Sequence, residues 1–393
     1  MQLTHSKHLR HAHRHAHPHS HKALLGILLW MRKNIVLCVA IAAALITSCI
    51  VPPDAAYLTY FDLKTLSCLF CTLAVVCALK NIRFFTILAH RIVRITGNTR
   101  TAILTLVMIT FFGSMLIAND MALLTFLPLG FFILNCTGKQ KLMAFTFIMQ
   151  NIAANLGGML TPFGNPQNLY LYSHFNIPNG EFLTIMAPPF ALATALIVVC
   201  CLTFVPNEKI EVTEGVASKL PASKTALYLA LFVLSIAIVF RTIPYWIGLI
   251  LIPIVLLFAD RKALGQVDYP LLLTFVCFFI FAGNMGRMEG VRAVFSALLD
   301  KSVLLFSSLS CQCISNVPSA ILLSQFTDNY RELLLGVNIG GAGTLIASLA
   351  SLITFREYVS HNPGKAGSYI LRFSAFNFAF LGILLLFSYL LLV

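Results

Sequence analysis

Two short runs place polar side chains inside stretches apolar enough to lie in lipid: Ser114-Met115-Leu116-Ile117-Ala118-Asn119-Asp120 and Cys313-Ile314-Ser315-Asn316-Val317-Pro318-Ser319. An Asn-Asp pair at bilayer depth is costly unless it binds or pairs with something, so such residues read as a site. Each run is followed by a segment that resists forming one continuous helix. Residues 155 to 168 hold two prolines and three glycines, and residues 338 to 351 hold Gly340, Gly341 and Gly343. The backbone must unwind there. Unwound carbonyls suit a cation, and the amino end of the half-helix that follows turns positive partial charge toward an anion. The candidate substrate ligands are therefore Asn119, Asp120, Asn165, Asn168, Ser315, Asn316, Thr344 and Ser348. The candidate coupling-ion residues are Ser114, Asn119, Asp120, Gly164, Asn316 and Thr344. Small residues in membrane helices more often serve close packing. Packing is the better reading for Gly340, Gly341 and Gly343 alone, and a site for Asn119, Asp120, Asn165, Asn168 and Asn316 taken together. Asp120 is the one acidic group in either run, which makes it the natural proton- or cation-linked carboxylate. Cys311 and Cys313 could attract a thiophilic ligand, but chance placement of small residues explains them better.

These runs need a scaffold, and the composition supplies it. The chain of 393 residues is 59% hydrophobic and 10% charged. With a mean hydropathy of +0.87 it has more apolar surface than a soluble core could bury. Full spans are expected near 34–51, 64–80, 142–175, 183–205, 225–241, 245–259, 269–285, 333–355 and 370–392, each close to the length a helix needs to cross hydrocarbon. The segments 101–134 and 302–325 are broken by polar and proline-containing runs and read as re-entrant hairpins. With a cytoplasmic amino terminus, every Lys and Arg except Lys64, Arg241, Arg287, Arg292, Lys301 and Arg331 falls inside, which fits the positive-inside rule. Five spans separate the hairpins, so they open to opposite faces and the two halves are inverted. The expected fold is an all-α integral membrane protein of about nine transmembrane helices plus two re-entrant hairpins, in an inverted repeat with two discontinuous helices. Residues 1–22 form a tail, 23–205 the first repeat, 206–224 a cytoplasmic linker and 225–393 the second repeat. The expected location is the inner (plasma) membrane, with the amino terminus cytoplasmic and the carboxyl terminus outside.

The net charge of +13 sits between apolar segments and so is topogenic, with no nucleic-acid surface implied. In the tail, His11, His13, His15, His17, His19 and His21 alternate with small and basic residues. They could hold a metal or sense pH, although a solvated basic tail is the plainer reading. Most cysteines lie within apolar stretches and act as small hydrophobes. No metalloenzyme, nucleophile-triad or phosphate-loop motif is visible, so neither catalysis nor nucleotide-driven pumping is expected.

Ala118-Asn119-Asp120-Met121-Ala122-Leu123-Leu124 with Pro128, and Gly164-Asn165-Pro166-Gln167-Asn168-Leu169, resemble the ion transporter superfamily of citrate, dicarboxylate and arsenite permeases and D-type sodium/proton antiporters. Ser315-Asn316-Val317-Pro318-Ser319, with Gly343-Thr344 through Ser348-Leu349-Ala350, resembles the matching second-half elements. The resemblance implies one cation and substrate half-site from Ser114, Asn119, Asp120, Gly164 and Asn165, and another from Ser315, Asn316, Thr344 and Ser348. Members with a dicarboxylate site carry Ser-Asn-Thr at both tips, where this chain has Ala-Asn-Asp and Ser-Asn-Val. The resemblance also implies an elevator-like shift of the hairpin domain, often within a homodimer.

The expectation is a secondary transporter in the lipid bilayer that carries a small anionic substrate, citrate- or dicarboxylate-like or an oxyanion such as arsenite. It needs no cofactor beyond a sodium ion or proton as coupling ion. Sodium/proton antiport through Asp120 is the alternative, followed by a metal-sensing membrane protein led by the histidine tail.

Overall fold

The computed structural model describes residues 30–31, 34–93, 96–210 and 220–392. The histidine tail and the centre of the 206–224 linker lie outside the described residues. The first half runs α1 (Ile35–Ile50), α2 (Leu63–Asn81), α3 (Phe84–Val93), α4 (Thr99–Ile117), α5 (Asn119–Cys136), α6 (Met143–Gly157), α7 (Pro166–His174) and α8 (Asn179–Phe204). A connecting set follows: α9 (Ala222–Val239), α10 (Tyr245–Ala259) and α11 (Arg261–Gly265). The second half runs α12 (Tyr269–Arg287), α13 (Glu289–Leu299), α14 (Val303–Ile314), α15 (Asn316–Leu323), α16 (Tyr330–Ile339), α17 (Leu349–His361) and α18 (Ala366–Leu392). Among the described residues, β structure is confined to one antiparallel bridge between Asn98 and Lys209.

The distribution of side chains is that of a protein solvated by lipid. Phe258 is 85% exposed and Leu371 74%, while Gln150, Asn151 and Asn168 are fully buried. Hydrocarbon accepts apolar side chains on the outside, and it forces polar groups to find partners within the bundle. Among the described residues, seven helices are long and apolar enough to cross a bilayer. Helices α1 and α10, at 16 and 15 residues, are shorter than a full hydrocarbon crossing.

Both arms of the first hairpin, α4 and α5, are also long enough to cross, at 19 and 18 residues. Length alone would make them two full spans, so the tip's contacts decide the matter. Asn119 Nδ2 donates to Asn155 Oδ1 at 3.0 Å, and Thr161 Oγ1 donates to the carbonyl of Met115 at 2.7 Å. The tip therefore meets the interruption between α6 and α7, in the middle of a span rather than at its far end. The second hairpin is plainer, because its arms of 12 and 8 residues reach only about 18 and 12 Å. The same backbone device turns both tips. Ala118 has φ 61° and ψ 151°, and Ser315 has φ 75° and ψ 159°. Non-glycine residues rarely hold this conformation, and it costs about 1–3 kcal/mol at each position.

The halves also pack alike. Helix α4 lies on α6 and α5 as α14 lies on α16 and α15. Across the halves the second arms are exchanged: α5 packs on α17, and α15 packs on α7. Each hairpin thus completes the broken span of the other half. Asn98 caps α4 by accepting from Thr101 N, and Ser302 caps α14 by accepting from Leu305 N. Outside this body, α9 and α10 pack on α2 and α1 packs on α12, where Asn284 Nδ2 donates to the hydroxyl of Tyr57 at 2.9 Å.

Candidate functional site

Four helices begin at the centre of the bundle. Helices α5 and α15 start at the hairpin tips, and α7 and α17 start after the two breaks. At the first break, Thr161 sits extended at φ −114° and ψ 144°, as the residue before a proline must, and Pro162 ends the preceding turn. Asn165 is extended, and Pro166 opens α7 at the one helical position where its missing N–H costs nothing. Ser348 caps α17 by accepting from Ala350 N at 3.2 Å. At the tips, Asn119 Oδ1 accepts from Asp120 N and Asn316 Oδ1 from Val317 N, both at 2.9 Å. Candidate residues from the sequence thus stand at the start of every one of these helices, where free N–H groups and the helix dipole favour an anion.

A buried amide network joins them. Asn155 Oδ1 accepts from Asn119 Nδ2 at 3.0 Å and from Ser348 Oγ at 2.8 Å, tying the first tip to the second break. Asn338 Oδ1 accepts from Asn165 Nδ2 and Gln167 Nε2, each at 3.4 Å, and Asn338 Nδ2 donates to Asn168 Oδ1 at 2.5 Å. Asn316 Nδ2 lies 3.2 Å from where a Cβ on Gly341 would stand, and Asn155 Oδ1 lies 3.9 Å from the same point. The second tip therefore closes the same cluster. Several buried polar atoms remain without a hydrogen-bond partner: Asn155 Nδ2, Asn165 Oδ1, Gln167 Oε1 and Asp120 Oδ1. Buried polar atoms are almost always paired, so these mark where a polar ligand can be held.

Some candidates do different work. Asn168 Nδ2 donates to the carbonyls of Gly158, Met159 and Thr161 at 3.1–3.3 Å, and so splints the first break. Ser114 Oγ donates to the Phe111 carbonyl at 2.8 Å and packs against Gly157. Gly164 permits a close crossing, since a Cβ there would stand 2.3 Å from the Gly158 carbonyl oxygen. Gly340 is a packing glycine, as the sequence suggests: its Cβ would lie 2.9 Å from Ser308 Cα. Thr344 donates through Oγ1 to the carbonyl of Gln312 at 3.1 Å, and Ser315 Oγ donates to that of Ala347 at 3.4 Å.

The sequence reading passes over Asn155, Asn338, Gln167 and Gln312. A signal for the first two exists, because residues 155–161 and 338–344 share the pattern Asn-x-Gly-Gly-x-x-Thr. On that alignment Asn165 matches Ser348. The bond from Ser348 to Asn155 then has its twin in the bond from Asn165 to Asn338.

The sequence matches the citrate transporter family over residues 24–330. This chain belongs to that family. An uncharacterized transporter of Methanocaldococcus jannaschii is 32% identical over 310 residues, covering 78% of this chain and 84% of its own. The inner membrane protein YbiR of Escherichia coli is 29% identical over 281 residues, covering 70% of this chain and 74% of its own. The chain is thus a multi-pass membrane transporter. The family match contains both hairpins and the first break and stops at the start of α16, so the repeated Asn-x-Gly-Gly-x-x-Thr pattern adds the second break from the chain's own symmetry.

Proposed function

We propose that this citrate transporter family member is a secondary active transporter of a small anion, either a citrate- or dicarboxylate-like carboxylate or an oxyanion such as arsenite. The observation that carries the reading is the single buried amide network into which both tips and both breaks converge. It offers neutral donors and four helix starts, with no Lys or Arg among its members. Such a site can strip water from an anion without holding it so tightly that release fails. Asp120 stands beside Asn119 at the first tip. A carboxylate there repels an arriving anion unless a proton or sodium ion arrives with it, which is a physical basis for coupling. We propose that α4–α8 and α14–α18, joined through the exchanged hairpin arms, move as one body against the α1, α2, α9, α10 and α12 frame, which α15 also touches through α12. That division suits an elevator-type motion, and a homodimer would steady the frame. The proposed setting is the inner (plasma) membrane, with the amino terminus cytoplasmic and the carboxyl terminus outside.

Reconstituted protein tested for gradient-driven uptake of citrate, succinate, sulfate and arsenite should transport at least one of them. Uptake of none under either a sodium or a proton gradient would refute the reading. Sodium/proton antiport is the second reading, favoured by the unpartnered Asp120 Oδ1. It predicts sodium flux with no anion requirement, abolished in Asp120→Asn. Under the leading reading the same variant keeps anion binding and loses only the response to the coupling gradient.

A further inference from the structure

Two cavities occupy matching places in the two halves and differ in what they open to. One, of about 260 Å³, lies between α3, the end of α2 and the second hairpin arm α5, and is lined by Lys80, Thr86, His90, Leu124, Leu129 and Phe132 among others. The other, of about 300 Å³, has Gly286 where the first has Lys80, each the eighteenth residue of its helix. It has Ile321 where the first has Leu124, each five residues after the tip asparagine. This second cavity contains Asp62, and Ile321 is 1% exposed, so lipid does not reach it. In the first, Leu124 is 47% and Phe132 44% exposed, and no acidic side chain is among the lining residues. The first cavity is a groove that opens sideways to lipid.

The groove has a polar end and an apolar end. Leu124 and Phe132 are eight residues apart on α5, a rise of about 12 Å. His90 stands at the Phe132 end, its ring edge-on to that of Phe132 with centroids 6.0 Å apart. Leu124 lies toward the hairpin tip, in hydrocarbon. Thr86 and His90 are four residues apart and share a face of α3. Among the described residues, Lys80 has no ion-pair partner and the Thr86 hydroxyl has no hydrogen-bond partner. Arg83, just before α3, and Arg91 within it are exposed, and no acidic residue occurs between Leu63 and Asn119.

We propose that this groove binds one anionic phospholipid of the leaflet on the α3 side, which is the cytoplasmic leaflet in the orientation proposed above. Lys80, Thr86 and His90 hold its phosphate, and an acyl chain runs along Leu124 and Leu129. Basic pockets between membrane helices on the cytoplasmic side meet a leaflet rich in anionic headgroups. A free phosphate would use the basic end alone, whereas a lipid uses the apolar wall as well. Because α3 packs on α2, α4 and α5, the lipid ties a frame helix to both arms of the first hairpin. The inference holds whichever anion is carried.

The test is the unfolding temperature of purified, delipidated full-length protein in neutral detergent, titrated with dioleoyl phosphatidylglycerol or dioleoyl phosphatidylcholine. Phosphatidylglycerol should raise Tm saturably, by about 2 °C or more beyond phosphatidylcholine. Lys80→Gln combined with His90→Gln should remove most of that difference. Lys365→Gln, at an exposed cation outside the groove, should leave it intact. Leu124→Trp, on the lipid-facing wall, should fill the groove and remove the difference with every cation in place; it decides the matter alone if the double variant does not fold. Equal shifts from the two lipids, or a phosphatidylglycerol shift that persists in the folded groove variants, would overturn the inference. Soluble glycerol phosphate that reproduced the shift would overturn it too, because the site would then belong to a free phosphate ester. Because unfolding rather than flux is read, an empty anion screen would refute the proposed transport and leave this result standing.

Discussion

Asn155→Ala is expected to reduce uptake to about one hundredth of the wild-type rate while the protein still inserts in the membrane. Asn155 is 2% exposed, and its Oδ1 receives two donors that have no other partner, Asn119 Nδ2 and Ser348 Oγ. Truncation strands both in a place that water does not reach. Each stranded donor costs about 1–3 kcal/mol, and about 3 kcal/mol in total lowers the population of the docked tip roughly 100-fold. Asn338→Ala, the symmetry-related change, should act in the same direction. Initial uptake rates in proteoliposomes, normalised to inserted protein, measure the effect. Wild-type uptake in Asn155→Ala would show that the amide network is packing and not the transport site.

The second large effect is steric. A Cβ on Gly158 would stand 2.4 Å from Asn165 Oδ1 and 2.7 Å from the Gly164 carbonyl oxygen. On Gly164 it would stand 2.3 Å from the Gly158 carbonyl oxygen. Real Cβ atoms do not approach this closely, and backbone can yield only by opening the break. Gly158→Ala and Gly164→Ala should each cost about 3 kcal/mol or more, at or above the upper range for overpacking, and should abolish transport. Gly180, in the first turn of α8, has nothing within 4 Å of its Cβ position. Gly180→Ala is therefore expected to be neutral or stabilising by up to about 1 kcal/mol, through helix propensity alone. Unfolding temperatures of the three purified variants provide the comparison. A Gly164→Ala protein as stable as Gly180→Ala would mean that the two strands of the break do not touch.

Much of this was legible in one dimension because a membrane simplifies the physics. Apolar length fixes the spans, and prolines and glycines fix the breaks; Pro162, Pro166 and Gly164 do what their chemistry dictates. Asn119 and Asn316 stood out because a polar residue in an apolar run is expensive. Asn155 and Asn338 were harder to see. Each sits at the end of a helix beside glycines, and only the exchange of α5 and α15 between the halves brings them their partners. Asn168 and Ser114 also bond to backbone carbonyls, since a polar residue near a break can serve its own backbone as well as a ligand. Length misleads at α4 and α5, where each arm alone could cross the bilayer and only the backbone of Ala118 and the contacts of Met115 and Asn119 reveal the turn. Gln312 escaped because a glutamine in a helix carries no signal until the carbonyls it faces are known.

The central claim is that both hairpins enter and leave by one face and meet in the middle. Cysteine accessibility in a background otherwise free of the native cysteines tests it most directly. Thr101→Cys and the native Cys136 bracket the first hairpin, and Lys301→Cys and Asp328→Cys the second; all four positions are exposed. Membrane-impermeant labelling should reach the first pair only from the cytoplasmic side and the second pair only from the outside. Labelling of the two ends of either hairpin from opposite faces would contradict the account.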